Sequence, residues 1–123
     1  MEWLPETPGM KALIVDDHPA MRRLIASLLP AEWESTQCGN GREAVEAYPR
    51  TRPDCVLMDV EMPVEDGFSA ARRIRAQDPA AWIVFISQHG GSAFSAGARE
   101  AGGRALVSKS DLPQLVDHLP ATR

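Results

Sequence analysis

The sequence predicts an α/β fold built on a doubly wound, five-stranded parallel sheet, and three observations carry that prediction. Five short apolar runs recur along the chain, each stopped by acids or turn formers. Between them lie stretches whose apolar residues repeat at helical spacing. Strands that alternate with helices make βαβ units, which form a parallel sheet with helices on both faces. The length, 123 residues, suits one domain around one core.

The elements follow in order. Residues 1–9, "MEWLPETPG", hold two prolines, a glycine and two acids and read as a flexible leader, with the domain running over 10–123. In "KALIVDDHP" the apolar run Ala12 to Val15 stops at Asp16, Asp17 and Pro19, a buried strand leading into a helix with proline near its first turn. Met21, Leu24, Ile25 and Leu28 make one helical face, which Pro30 ends. "ESTQC" is a weak strand, and "GNG" at 39–41 is a turn before a short helix, Arg42 to Tyr48. Cys55 to Met58 is the third strand, and Phe68, Ala71 and Ile74 mark a helix that stops before Asp78-Pro79. "WIVFIS" at 82–87 is the clearest strand, rich in branched and aromatic residues. "QHGGSAFSAGAREAGG" is a helix with Gly97 inside it, and "RALVSK" is the fifth strand. Leu112, Leu115, Val116 and Leu119 form a last helical face, closed by Pro120.

Composition narrows the function. A net charge of −4 argues against direct nucleic-acid binding, which needs a basic face. Arg72, Arg73 and Arg75 read as the wet side of a helix. Cys38 and Cys55 lack metal-ligand spacing, so a reduced, cytoplasmic chain is expected. The N-terminus has no signal-peptide pattern, and no apolar stretch nears the roughly 20 residues of a membrane helix.

In an open doubly wound sheet, ligands bind outside the carboxyl ends of the strands. There the sequence puts Asp16 and Asp17, Asp59, Ser87 and Lys109. Clustered carboxylates repel one another in a partly dry site, and Mg²⁺, which takes oxygen ligands, relieves that repulsion. An ionised Asp beside such a metal can attack phosphorus. Lys109 can pair with a phosphoryl oxygen and Ser87 can donate to another. Each residue alone also has a plainer role: Asp17 as helix cap, Ser87 bonded to nearby backbone, Lys109 solvated.

The ordered set "VDDHP", "VLMDVEMPVEDG", "FISQ" and "LVSKS" resembles the receiver domain of two-component response regulators over about residues 11–119. The resemblance implies a flavodoxin-like (βα)5 fold with strand order 2-1-3-4-5 and Asp59 as phospho-acceptor. It implies Mg²⁺ held by Asp17, Asp59 and the Glu61 main-chain carbonyl, with Asp16 acting mostly through water. Ser87 and Lys109 would contact the phosphoryl group. The phosphodonor would be a histidine kinase or phosphotransfer protein, and the output a domain or partner not in this chain. The face from the fourth helix to the fifth would meet partners or a second copy.

The chain departs from the family pattern in places. Gln88 stands where a small residue is usual; it either narrows donor access or donates a further hydrogen bond. Ser110 replaces the usual proline after Lys109, and Ser110 or Asp111 is expected to cap the last helix. Leu106 replaces the switch aromatic, so switching must run through backbone and packing. Gly97, Ser95 and Gly90-Gly91 make the fourth helix marginal, and it is expected to change order or position on phosphorylation. Glu61 and His89 are expected to modulate dephosphorylation as a pair, or to be two solvated side chains. A haloacid-dehalogenase-type phosphatase would carry its nucleophile after the first strand, and a flavodoxin would need a glycine-rich phosphate loop there; "DDHP" suits neither. The competing reading is a receiver-like interaction module that signals without phosphorylation.

Overall fold

The computed structural model describes residues 9–88 and 92–121. Five parallel strands, β1 (Lys11–Val15), β2 (Glu34–Cys38), β3 (Cys55–Asp59), β4 (Ile83–Ser87) and β5 (Ala105–Ser108), lie in the order β2-β1-β3-β4-β5. The order expected from the resemblance is the one observed. Side chains alternate across the sheet, so its two faces feed two apolar layers. Leu13, Val15, Val56, Met58 and Phe85 pack under α2 (Gly41–Thr51), α3 (Gly67–Gln77) and α4 (Ser92–Glu100). Ile14, Leu57, Val84, Ile86 and Val107 pack under α1 (Pro19–Leu28) and the closing helix. Strands β3 and β4 are buried along their whole length, which is why they read as continuous apolar runs. Edge strand β2 is exposed from Glu34 to Gln37, which is why its signal is weak.

Three elements differ from their sequence expectations. Helix α2 runs through Pro49 to Thr51 instead of ending at Tyr48. Pro49 has no N–H for the Val45 carbonyl one turn back, and the Gln77 Nε2 of α3 donates to that oxygen at 3.4 Å instead. The closing helix is a 3-10 helix, Lys109–His118, kinked at Asp111 (φ −125°, ψ 32°) with Pro113 inside it. At three residues per turn only i, i+3 positions stay on one face. Leu112 and Leu115 are therefore buried while Val116 is 44% exposed. In α1 the apolar stripe is narrower than predicted: Ile25 is buried and Leu24 is 46% exposed.

Smaller boundary shifts have local causes. Strand β4 begins after Trp82, whose Nε1 donates to the His118 carbonyl at 2.8 Å. Strand β5 is shorter than "RALVSK" because Lys109 already belongs to the closing helix. The cap of that helix is Ser108, whose side chain accepts from the Ser110 N–H, so neither Ser110 nor Asp111 holds that role. Arg72 and Arg73 are exposed as expected, and Arg75 donates to the Gly102 carbonyl at 3.5 Å. Both cysteines are buried and free. Among the described residues, no helix is long and apolar enough to cross a membrane. The expected leader, except Gly9, lies outside the described residues, as do His89 and Gly90-Gly91.

Candidate functional site

The site lies at the carboxyl ends of β1, β3, β4 and β5. Asp59 is the last residue of β3, paired in register with Ile86 of β4, and only 2% exposed. The strand delivers the carboxylate, and the loop beyond it is fastened in place. Val60 donates its N–H to the Ile86 carbonyl at 2.9 Å, and Gly67 donates to the Val60 carbonyl at 2.8 Å. Residue 67 must be glycine because a β-carbon there would run into the Asp59 carbonyl. Asp66 then caps α3, accepting from the Ser69 N–H at 2.9 Å.

Asp16 follows β1 and is fully buried. Its N–H donates to the Cys38 carbonyl at 3.1 Å, and its Oδ1 accepts from the His18 N–H at 2.8 Å. Asp17 does not cap α1. The cap position is His18, without a side-chain cap bond, and Asp17 Oδ1 lies 3.2 Å from His18 Nδ1. Lys109 reaches in from the opposite side, its side chain 10% exposed. Its Nζ stands 3.2 Å from Asp16 Oδ2 and 3.4 Å from Asp59 Oδ2. Ser87, fully buried, donates its hydroxyl to Glu61 Oε1 at 3.5 Å. Asp16, Asp17, Asp59, Ser87, Lys109 and Glu61, scattered in sequence, thus surround one small acidic space. Gln88 is exposed at its rim, and Leu106 is a partly buried residue of the α3–α4 layer with Phe68 and Phe94.

The electrostatics follow from burial and from the excess of acids. Burial pushes the Asp59 carboxyl up from 3.8 to about 6, the Asp16 charge adds to this, and Lys109 and the Glu61 N–H pull the other way. Burial alone would lower the Lys109 pKa, but the Asp59 and Asp16 carboxylates outweigh it and raise it. Asp16 Oδ2 and Asp17 Oδ1 are buried without an aligned hydrogen-bond donor. Buried oxygens of that kind are costly unless a charge meets them. The Lys109 ammonium already stands where positive charge is wanted. One ligand atom from each of Asp16, Asp17 and His18 lies within 4.8 Å of the other two. The Asp16 and Asp17 oxygens that lack donors, with the Asp59 carboxylate nearby, fit a hard divalent cation such as Mg²⁺, and the His18 nitrogen stands beside them.

Two features beside the site escape a reading of the sequence. His18 flanks the acid pair, but its proximity to both carboxylates depends on the turn between β1 and α1. Arg22 donates from Nη1 to the Asp16 carbonyl at 2.7 Å, and in the sequence it is one of two adjacent arginines on a helix. No spacing signal distinguishes it from Arg23.

The chain is similar to known proteins. The family model described as "Response regulator receiver domain" matches residues 12–120. The chain is 37% identical over 110 residues to the chemotaxis protein CheY of Thermotoga maritima, covering 88% of this chain and 92% of that protein. It is 38% identical over 105 residues to a protein-glutamate methylesterase/protein-glutamine glutaminase of Vibrio cholerae, covering 82% of this chain but 28% of that protein. The chain therefore spans roughly a quarter of the methylesterases it matches. Among solved structures, a two-component response regulator of the LuxR family from Aurantimonas superposes with a TM-score of 0.83 at 36% identity. That match covers 89% of this chain and 81% of the other. The receiver domain of Thermotoga maritima CheB gives 0.75 at 26% identity, covering 82% and 78%. With its parallel sheet in the order 2-1-3-4-5 and its acid-and-lysine pocket at the strand ends, the chain belongs to the receiver domain family of two-component response regulators.

Proposed function

We propose that this receiver domain accepts a phosphoryl group on Asp59 in a Mg²⁺-dependent reaction and passes the change to a partner-binding surface. The observation that carries the reading is the meeting of Lys109 with Asp16 and Asp59 at 3.2 and 3.4 Å. That contact sets a buried nucleophilic carboxylate beside a fixed cation and a second acid. An Asp59 oxygen attacks the donor phosphorus and forms the new O–P bond, while the bond to the leaving group breaks and that group departs with the electron pair. Lys109 receives one phosphoryl oxygen as a point charge and the Ser87 hydroxyl donates to another. Asp17, Asp59 and the Glu61 main-chain carbonyl would hold Mg²⁺ directly and Asp16 through water. When bound, the ion neutralises charge on the carboxylates and the incoming phosphoryl oxygens.

The remaining roles follow from placement. To reach the phosphoryl group the Ser87 hydroxyl turns from Glu61, and Glu61 and His89 together influence how water reaches the site. With Leu106 in place of an aromatic switch, the shape change passes from Ser87 and β4 into α4, whose order or position then differs between the two states. The donor is a histidine kinase or phosphotransfer protein in the cytoplasm. The output is a domain or partner acting on the face from α4 to the closing helix, where a second copy of the chain can also dock.

The test is direct. Incubation with Mg²⁺ and acetyl phosphate, read by intact mass beside an Asp59→Ala control, should give a labile adduct of one phosphoryl group that needs both Mg²⁺ and Asp59. Mg²⁺ binding without any adduct would favour a receiver-like module that signals without phosphorylation.

A further inference from the structure

We propose that Arg22 is a positioning residue for the cation site, holding the Asp16–Asp17 turn in the geometry that binds the ion; this rests on the reading of that site as a Mg²⁺ site. Arg22 sits in the first turns of α1 and uses its fork in two directions. Nη1 donates to the Asp16 carbonyl at 2.7 Å, and Nε donates to the Gln37 side-chain oxygen on β2 at 3.1 Å. The Asp16 peptide is therefore gripped from both sides, because its own N–H donates to the Cys38 carbonyl at the end of β2. With Oδ1 fixed by the His18 N–H, the Asp16 carboxylate keeps little freedom, and its Oδ2 is left facing Lys109 and Asp59 across the site.

Two further observations assign this grip to the site. Strand β2 is an edge strand exposed from Glu34 to Gln37, so no apolar packing on those residues holds the edge against the acid turn. The Arg22–Gln37 bond adds a side-chain tie to the backbone ladder that pairs β2 with β1. Both hydrogen-bond partners of the guanidinium are neutral oxygens, and among the described residues it forms no ion pair. Its positive charge is thus directed at an acid-rich turn instead of being matched by a carboxylate of its own. Only arginine's rigid fork serves both oxygens at once; a lysine ammonium is a single point donor.

Isothermal titration with MgCl₂ and acetyl phosphate labelling across a Mg²⁺ series test the assignment on wild-type, Arg22→Ala, Arg22→Lys and Gln37→Ala proteins, with melting temperature recorded for each. Arg22→Ala should weaken Mg²⁺ binding on the order of ten-fold, as loss of a partner that orients metal ligands does. Its half-saturating Mg²⁺ for labelling should rise by the same factor, while the rate at saturating Mg²⁺ stays within about two-fold. Arg22→Lys should recover only part of the loss. Gln37→Ala, which cuts the β2 tie and leaves the charge, should weaken binding by roughly two- to three-fold and carries the test if Arg22→Ala does not fold. Unchanged Mg²⁺ affinity in Arg22→Ala, or in Gln37→Ala where that variant carries the test, overturns the proposal. So does full recovery in Arg22→Lys, or a fall in saturating rate at unchanged half-saturation. Failure of the wild-type protein to bind Mg²⁺ overturns the reading of the site itself.

Discussion

Gly97 of α4 lies directly on the ring of Phe68 of α3: a β-carbon at residue 97 would stand 2.7 Å from Cε2 and 3.1 Å from Cζ. The ring cannot easily yield, because its edge meets Phe85 of β4 at a centroid distance of 4.9 Å and an interplanar angle of 83°. In the sequence Gly97 reads as a weakness of the helix; in the fold it is what lets α4 come close. Helix propensity alone would have Gly97→Ala stabilise by about 1 kcal/mol, whereas overpacking costs about 1–3 kcal/mol. Gly97→Ala should therefore lower stability in urea unfolding. In a Phe68→Leu background, where the ring tip is gone, the same substitution should stabilise. Stabilisation in the wild-type background would refute the contact.

The raised Asp59 pKa makes stability depend on pH with a definite sign. The folded carboxyl holds its proton up to about pH 6, against 3.8 ordinarily. The stabilising effect of that tighter proton binding is fully present below about pH 4 and is lost as pH rises through about 6. Asp59→Asn carries no charge to bury. It should exceed the wild-type protein in stability at pH 7.5 by up to about 3 kcal/mol in metal-free buffer, and the gap should close as pH falls toward 4. Chemical unfolding at several pH values reads this out, and a gap that widens on acidification would contradict the assignment.

Lys109 is the cation that makes the metal-free site tolerable. Lys109→Met leaves Asp16 and Asp59 facing each other without it and should destabilise the chelator-treated protein by about 1–3 kcal/mol at pH 7. Millimolar Mg²⁺ should recover more stability in this variant than in the wild-type protein. Thermal unfolding with and without Mg²⁺ checks both statements; equal Mg²⁺ effects in the two proteins would show that ion and lysine do not answer the same charge.

Pro49 and Gln77 form a further testable pair. Gln77→Ala removes the donor to the Val45 carbonyl and should cost about 1 kcal/mol. Pro49→Ala restores the helical N–H to that same oxygen and should make the loss of Gln77 nearly neutral. A double-mutant cycle in urea measures the coupling, and strictly additive effects would refute it.

Much of this was settled by the chain itself. The apolar runs that became β1, β3 and β4, the stops at Asp16 and Asp59, and the hydroxyl and lysine at later strand ends are local patterns. A parallel sheet converts them into one site because every strand ends on the same side. The resemblance built on those motifs also indicated the strand order that the fold adopts. The tertiary structure decided what local pattern cannot express. Pro49 stays in α2 because a side chain on α3 supplies the donor for Val45. Val116 faces water because a kink and a three-residue turn rotate it off the core, where a uniform 3.6-residue period would have buried it. Gly97, a weak point by helix propensity, is also a close contact, because Phe68 is pinned by Phe85. Arg22, indistinguishable from Arg23 along the sequence, gains its role only when β2 comes to lie beside β1 and offers Gln37 and Cys38 to the acid turn. Hydrophobic period and strand-end chemistry are written residue by residue, whereas hydrogen-bond partners and close approaches arise between elements that meet only once the sheet has formed.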